Sequence, residues 1–134
     1  MATLTKQGQG IASRRKGADG ERELIRLLRD AFPGLELRRD LRQYQTGGLT
    51  DVLGLPGYAV EVKRRRRITQ GQVDAWWSPL ARHADGVEPV LAYRQDKQGW
   101  RFRLFGAGNF WMETDFSGFC CILKGDIHDG TVKE

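Results

Sequence analysis

The chain is predicted to fold as one α/β domain, a central mixed sheet flanked by helices. Three observations carry this. Apolar residues recur at helical spacing over 18–32, apolar and polar residues alternate strictly over 58–63, and a second helical stripe over 70–84 precedes further strand-like segments. The resulting order of helix, strands, helix, strands is that of a sheet covered by helices. The 134 residues suit a single hydrophobic core.

Residues 1–15 are rich in Gly, Gln, Ser, Thr and Lys and are expected to form a flexible arm, leaving 16–134 as the single folded domain. In the first helix Asp19 is the expected N-cap. Leu24, Ile25, Leu27, Leu28, Ala31 and Phe32 share one face, opposite Arg22, Arg26, Arg29 and Asp30, and Pro33-Gly34 ends the helix. A strand is expected at 35–39, then a loop from Gln43 to Thr50 around Gly47-Gly48. Strands near 51–54 and 58–63 follow, joined by Leu55-Pro56-Gly57. Thr69 caps the second helix, whose apolar set is Val73, Trp76, Trp77, Leu80 and Ala84, with Pro79 a source of a kink. Strands are expected at 88–94 and 100–105 around a turn at Gln95–Gly99, and again at 110–112 and 119–123.

Composition narrows the function. Hydrophobic residues at 40% and charged residues at 29% describe an ordinary soluble domain, and no run approaches the roughly 20 apolar residues of a membrane span. The N-terminus has no apolar signal segment. Adjacent Cys120 and Cys121 would point to opposite faces of a strand, which disfavours a bridge and fits a reducing, cytoplasmic setting. The net charge of +5 is concentrated in three clusters: Lys63–Arg67, Arg14-Arg15-Lys16, and Arg38, Arg39 with Arg42. Such clustering favours a polyanionic partner, nucleic acid rather than a membrane surface.

The chemistry centres on Asp51 and Glu61-Val62-Lys63. Strand alternation puts Glu61 and Lys63 on one face, with Tyr58, Val60 and Val62 on the other. If the loop is the three residues 55–57, Asp51 lies opposite Glu61, with Cβ atoms about 5 Å apart. A two-residue loop would place them on opposite faces. Two carboxylates sharing a face repel unless a cation lies between them. Oxygen-only ligation, with the Val62 carbonyl as a further oxygen, suits Mg²⁺, with Mn²⁺ as a substitute. Lys63 can orient a water or neutralise charge developing on a phosphate. The alternative is a surface strand carrying a weak Glu61–Lys63 pair.

Glu21 projects onto the apolar stripe of the first helix, and Glu23 projects away from it. A carboxylate on the core side requires a partner or a metal, although first-turn carboxylates also favour the helix dipole. Gln72, one turn before Trp76, can hold a water or a phosphate oxygen, or simply face solvent. Trp76 and Trp77 can stack on bases or pack in the core.

The segments RRKGADGERELIRLL, TDVLG, YAVEVK and QGWRF together resemble the archaeal-type Holliday junction resolvases of the PD-(D/E)XK nuclease superfamily, over residues 14 to 105. The resemblance implies a restriction-endonuclease-like core. It also implies a homodimer that binds four-way DNA junctions and nicks two opposed strands with Mg²⁺. By position it places the family's helix acid on Glu21, its metal ligands on Asp51 and Glu61, and its lysine on Lys63. Arg22, following the helix acid, also matches. Thr50 stands where the superfamily pattern has proline, and the Arg64–Arg67 run and Trp76-Trp77 have no counterpart in that pattern.

The expected activity is therefore a junction-resolving endonuclease, cellular or phage-encoded. Glu21, Asp51, Glu61 and Lys63 would be its catalytic set, with the first three as metal ligands. The expected DNA contacts are Arg15, Lys16, Arg22, Arg38, Arg39, Arg42, Arg64, Arg65, Arg66 and Gln72. A flap, nick or restriction-type endonuclease would keep the same chemistry. A non-catalytic DNA-binding relative is the other alternative.

Overall fold

The structure is a computed structural model describing residues 6–41, 50–83, 86–105 and 110–128. In chain order these form α1 (Lys6–Ala31), β1 (Arg38–Arg39), β2 (Val52–Leu53), β3 (Tyr58–Arg65), α2 (Gln70–His83), β4 (Glu88–Gln95), β5 (Arg101–Phe105), β6 (Trp111–Asp115) and α3 (Phe116–His128). The expected α/β class is what the structure shows. A six-stranded sheet runs β1-β2-β3-β4-β5-β6, with helices on both faces. Among the described strands only β3 and β4 pair in parallel, and α2 is the crossover between them.

Alternation along the strands divides the core. Val60, Val62, Val90, Ala92, Phe102 and Leu104 face α1 and α3, where they meet Leu24, Leu28, Phe119 and Leu123. On the other face Leu91 packs under Val73, Trp77 and Leu80 of α2. Trp77 is therefore a core residue, its ring 5.2 Å from that of Phe105. Among the described residues no helix is long and apolar enough to cross a membrane.

Three expectations are corrected. Residues 119–123 form part of α3, not a strand. Phe116, Phe119, Cys120 and Leu123 fall at i, i+3, i+4 and i+7, and Asp115 caps the helix by accepting the Gly118 N–H at 2.8 Å. Five consecutive apolar residues do not distinguish strand from helix, and the cap does. The first helix begins at Lys6, so residues 6–15, expected as an arm, have helical backbone. Asp19 is mid-helix and pairs with Arg22 at 3.4 Å. Gly20 within this helix serves packing: a Cβ there would lie 2.9 Å from the Arg64 Cβ. Such proximity outweighs glycine's weak helix propensity. The strands expected at 35–39 and 51–54 shorten to two residues each.

Candidate active site

The site is built on the β2–β3 hairpin. Val52 pairs with Val60, the register expected for a turn at 55–57, which sets Asp51 across from Glu61; residues 54–57 connect the two strands. The loop turns tightly. Gly54 has φ +101, and a Cβ there would lie 2.0 Å from the Glu36 carbonyl oxygen, so only glycine fits. Asp51 donates its backbone N–H to Val60 at 2.7 Å and accepts that of Asp40 at 3.0 Å. β2 is too short to pair with Val62, whose N–H would be left unmatched. The Asp51 carboxylate takes that place, accepting the Val62 N–H at 2.7 Å.

Lys63 Nζ lies 3.2 Å from Glu61 Oε1, on the α2 face of β3. From α2, the indole of Trp76 lies 5.7 Å from both Lys63 Nζ and the Arg65 guanidinium carbon. Trp76 is thus a cation platform beside the carboxylates, a role its sequence spacing does not reveal. Glu21 approaches from α1. It is 3% exposed, and its carboxylate meets Arg39 Nε at 3.5 Å. Glu23 points elsewhere, accepting from Arg94 at 2.6 Å and from the Trp100 indole at 2.7 Å.

Asp51 is where these groups converge electrostatically. Burial pushes its pKa up to about 7, the Val62 N–H opposes the rise, and the charges of Glu21 and Glu61 add to it. Lys63 pulls it back slightly. The Glu61 carboxyl is also raised by burial, against the pull of Lys63 and Arg65. Burial lowers the Arg65 pKa, and Glu61 counters this. Carboxylates in such surroundings favour a proton or a cation.

The donor set is compatible with a hard divalent ion. It is all oxygen, and Asp51 and Glu61 would leave further positions to water and a phosphate, as Mg²⁺ prefers. Among the described residues no three carboxylate, imidazole or thiol groups are grouped tightly enough to hold an ion unaided.

The expected DNA contacts separate into two groups. Arg15, Arg22, Arg38 and Arg66 are exposed. Lys16 pairs with Asp96, and Arg39 with Glu21. Arg64 lies 3.6 Å from both Glu23 and Asp96. Arg65 stacks on Trp76 and donates to the Arg64 carbonyl at 2.9 Å. Arg42 lies outside the described residues. Gln72 caps its own helix: its side-chain oxygen accepts the Thr69 N–H at 2.9 Å, and its N–H donates to the Thr69 hydroxyl at 3.2 Å. That reciprocal capping box occupies the amide oxygen expected to face a phosphate.

A polar network on the same sheet face also escapes the sequence reading. Arg103 is 1% exposed and donates to Asp74 at 2.8 Å and to Glu113 at 3.1 Å. Its guanidinium lies 3.7 Å from the Trp111 ring centroid, and the Tyr93 hydroxyl donates to Glu113. The signal was available in Arg101-Phe102-Arg103-Leu104, where alternation turns both arginines away from the α1 core.

No protein-family model matches the chain. No curated protein matches it either. Among solved structures it is similar to Hjc, a Holliday junction resolvase from the archaeal hyperthermophile Archaeoglobus fulgidus. The match has 21% identity and a TM-score of 0.43, covering 79% of this chain and 96% of that one.

Proposed function

We propose that the protein is a Mg²⁺-dependent endonuclease that nicks branched DNA, with a four-way junction as its substrate and a homodimer as its working form. The observation that supports this most is the placement of Asp51. Its half-buried carboxylate feels both Glu21 and Glu61, and Lys63 stands 3.2 Å from Glu61. The TDVLG and YAVEVK segments that carry these residues are those that resemble the junction resolvases.

In this reading Asp51 and Glu61 hold the divalent ion, with Glu21 as the third carboxylate. When bound, such an ion supplies Lewis acidity at a phosphodiester and eases deprotonation of water. The chain's residues do the rest. The Val62 N–H fixes the Asp51 carboxylate, and burial keeps the site's charges effective. Lys63 neutralises negative charge growing on the phosphate oxygens, and Trp76 limits where its ammonium can move. Paired nicking requires two such sites held apart by the dimer, so the substrate is selected by shape and not by base sequence.

The test is incubation with a labelled four-way junction, a flap and a linear duplex of matching sequence, with and without Mg²⁺. Symmetric nicking of the junction alone is expected. Equal cleavage of all three would remove junction selectivity and favour a general endonuclease. Binding without cleavage in Mg²⁺ or Mn²⁺ would leave a non-catalytic DNA-binding protein. Native mass measurement tests the dimer.

A further inference from the structure

We propose that the cleft between the outer face of α1 and β1 is a binding track for the phosphodiester backbone of a DNA strand, separate from the carboxylate site. The proposal rests on the nuclease reading only in taking DNA as the ligand. The cleft has a volume of about 580 Å³, and its lining includes Arg22, Arg26, Arg29, Arg38, Arg39 and the aliphatic Ile25. No carboxylate lines it.

Five guanidinium groups around one cleft repel one another, and an anion relieves that repulsion. The planar fork of arginine matches phosphate oxygens in pairs. Four of the five, Arg22, Arg26, Arg29 and Arg38, are exposed. The Arg22 pairing with Asp19 is an exposed contact of 3.4 Å that a phosphate readily replaces. Arg26 and Arg38 make no ion pair among the described residues.

The arrangement favours a polymer over a small anion. Arg22, Arg26 and Arg29 follow at i, i+4 and i+7, so they line one helix face over about 10 Å at ~1.5 Å per residue. A row of cations suits successive phosphates of one strand, and the exposed side chain of Leu41 adds an apolar edge to the lining. Both walls are tied together, because Arg29 donates to the Leu37 carbonyl just before β1.

Arg39 joins this track to the carboxylate site. Its Nε atom is buried and makes no hydrogen bond, and its contact with Glu21 is a 3.5 Å ionic approach. The next residue, Asp40, donates its N–H to the Asp51 carbonyl at 3.0 Å. A strand held in the cleft therefore lies alongside the segment that carries Asp51.

The experiment measures binding of a fluorescent duplex oligonucleotide by anisotropy, without divalent metal, across several salt concentrations. Arg22→Glu combined with Arg26→Glu is expected to weaken binding at least tenfold. Its slope of log affinity against log salt should be shallower by about 2, since each phosphate contact contributes about 0.9. Both residues are exposed, and unchanged circular dichroism establishes that the variant folds. Arg82→Glu combined with Lys97→Glu makes the same charge change at other exposed positions and should leave the slope as it is. Unchanged binding by the first pair, or equal weakening by both, overturns the proposal. So does a nucleoside triphosphate whose binding is lost in the first variant while duplex affinity is retained, because the cleft would then hold a small anion. No cleavage is read here, so failure to cut DNA in Mg²⁺ would sink the nuclease reading and leave this result standing.

Discussion

The Oδ2 atom of Asp51 accepts the backbone N–H of Val62, the residue between Glu61 and Lys63, at 2.7 Å. One bond thereby satisfies an otherwise unmatched strand amide and aims a carboxylate along the β3 edge. An asparagine side chain retains a carbonyl oxygen for that amide and loses the charge. Asp51→Asn is therefore expected to fold, to bind junction DNA within about twofold of wild type, and to lose cleavage in Mg²⁺ by roughly 10²-fold or more. Gel assays of binding and nicking on one preparation check both halves. An Asp51→Asn protein that cuts normally would refute the ligand role.

The same carboxyl makes stability depend on pH. Its pKa is about 7 in the folded protein against an ordinary 3.8. Between those values the folded state binds more protons than the unfolded chain. Metal-free stability should therefore fall as pH rises through this window and level off above it. Asp51→Asn removes that component. Near pH 8 the variant should exceed wild type by on the order of 2–4 kcal/mol, and the two should match near pH 4. Urea unfolding at both values tests this. Added Mg²⁺ near pH 8 should raise wild-type stability and leave Asp51→Asn much less affected, if the ion binds the folded state through Asp51.

Thr69 and Gln72 make opposite predictions for a cap and for a catalytic amide. Thr69→Ala should destabilise the protein by about 1 kcal/mol. Gln72→Glu preserves the reciprocal acceptor and should change stability by less than about 0.5 kcal/mol. Cleavage by Gln72→Glu should stay within a few-fold of wild type. A hundredfold loss of activity with unchanged stability would move Gln72 into the reacting centre.

Arg103 anchors α2 to the sheet through Asp74 and to β6 through Glu113. Arg103→Ala should destabilise by about 3–5 kcal/mol, because a half-buried carboxylate loses its counter-charge. Arg103→Met combined with Glu113→Gln should recover at least half of that loss, since the Gln amide still accepts from Tyr93. Burial, with Glu113 beside it, pushes the Tyr93 hydroxyl up to about 12. Glu113→Gln should therefore lower its titration, which ultraviolet absorbance reads directly.

The parts of the site legible in the sequence are those set by local rules. Asp51 meets Glu61 because hairpin register follows from loop length, and Glu21 faces inward because helical projection fixes its side. The parts that were missed depend on tertiary neighbours or on a local rule not carried far enough. Period-two alternation applied beyond Lys63 splits the basic run. Arg64 turns to Glu23 and Asp96 near α1, whereas Arg65 turns to Trp76. As a mere charge cluster, the run looks like a uniform phosphate contact. The Thr69–Gln72 capping motif was visible, but the demands of helix initiation claimed the amide. The Trp76 platform appears only when α2 is laid over β3.

The short hairpin connection also sets the order in which the centre assembles. Asp51 and Glu61 are ten positions apart on one hairpin, and hairpins of that kind form in roughly 1–10 μs. β4 must instead cross over through α2 before pairing in parallel with β3, and Glu21 must arrive from a helix some distance back along the chain. Such non-local contacts form slowly. A folding chain therefore brings two acidic side chains together before the surroundings that raise their proton affinity exist. While solvent still bathes them they ionise freely, and the charge tension of the finished centre emerges only when the remaining layers close over it.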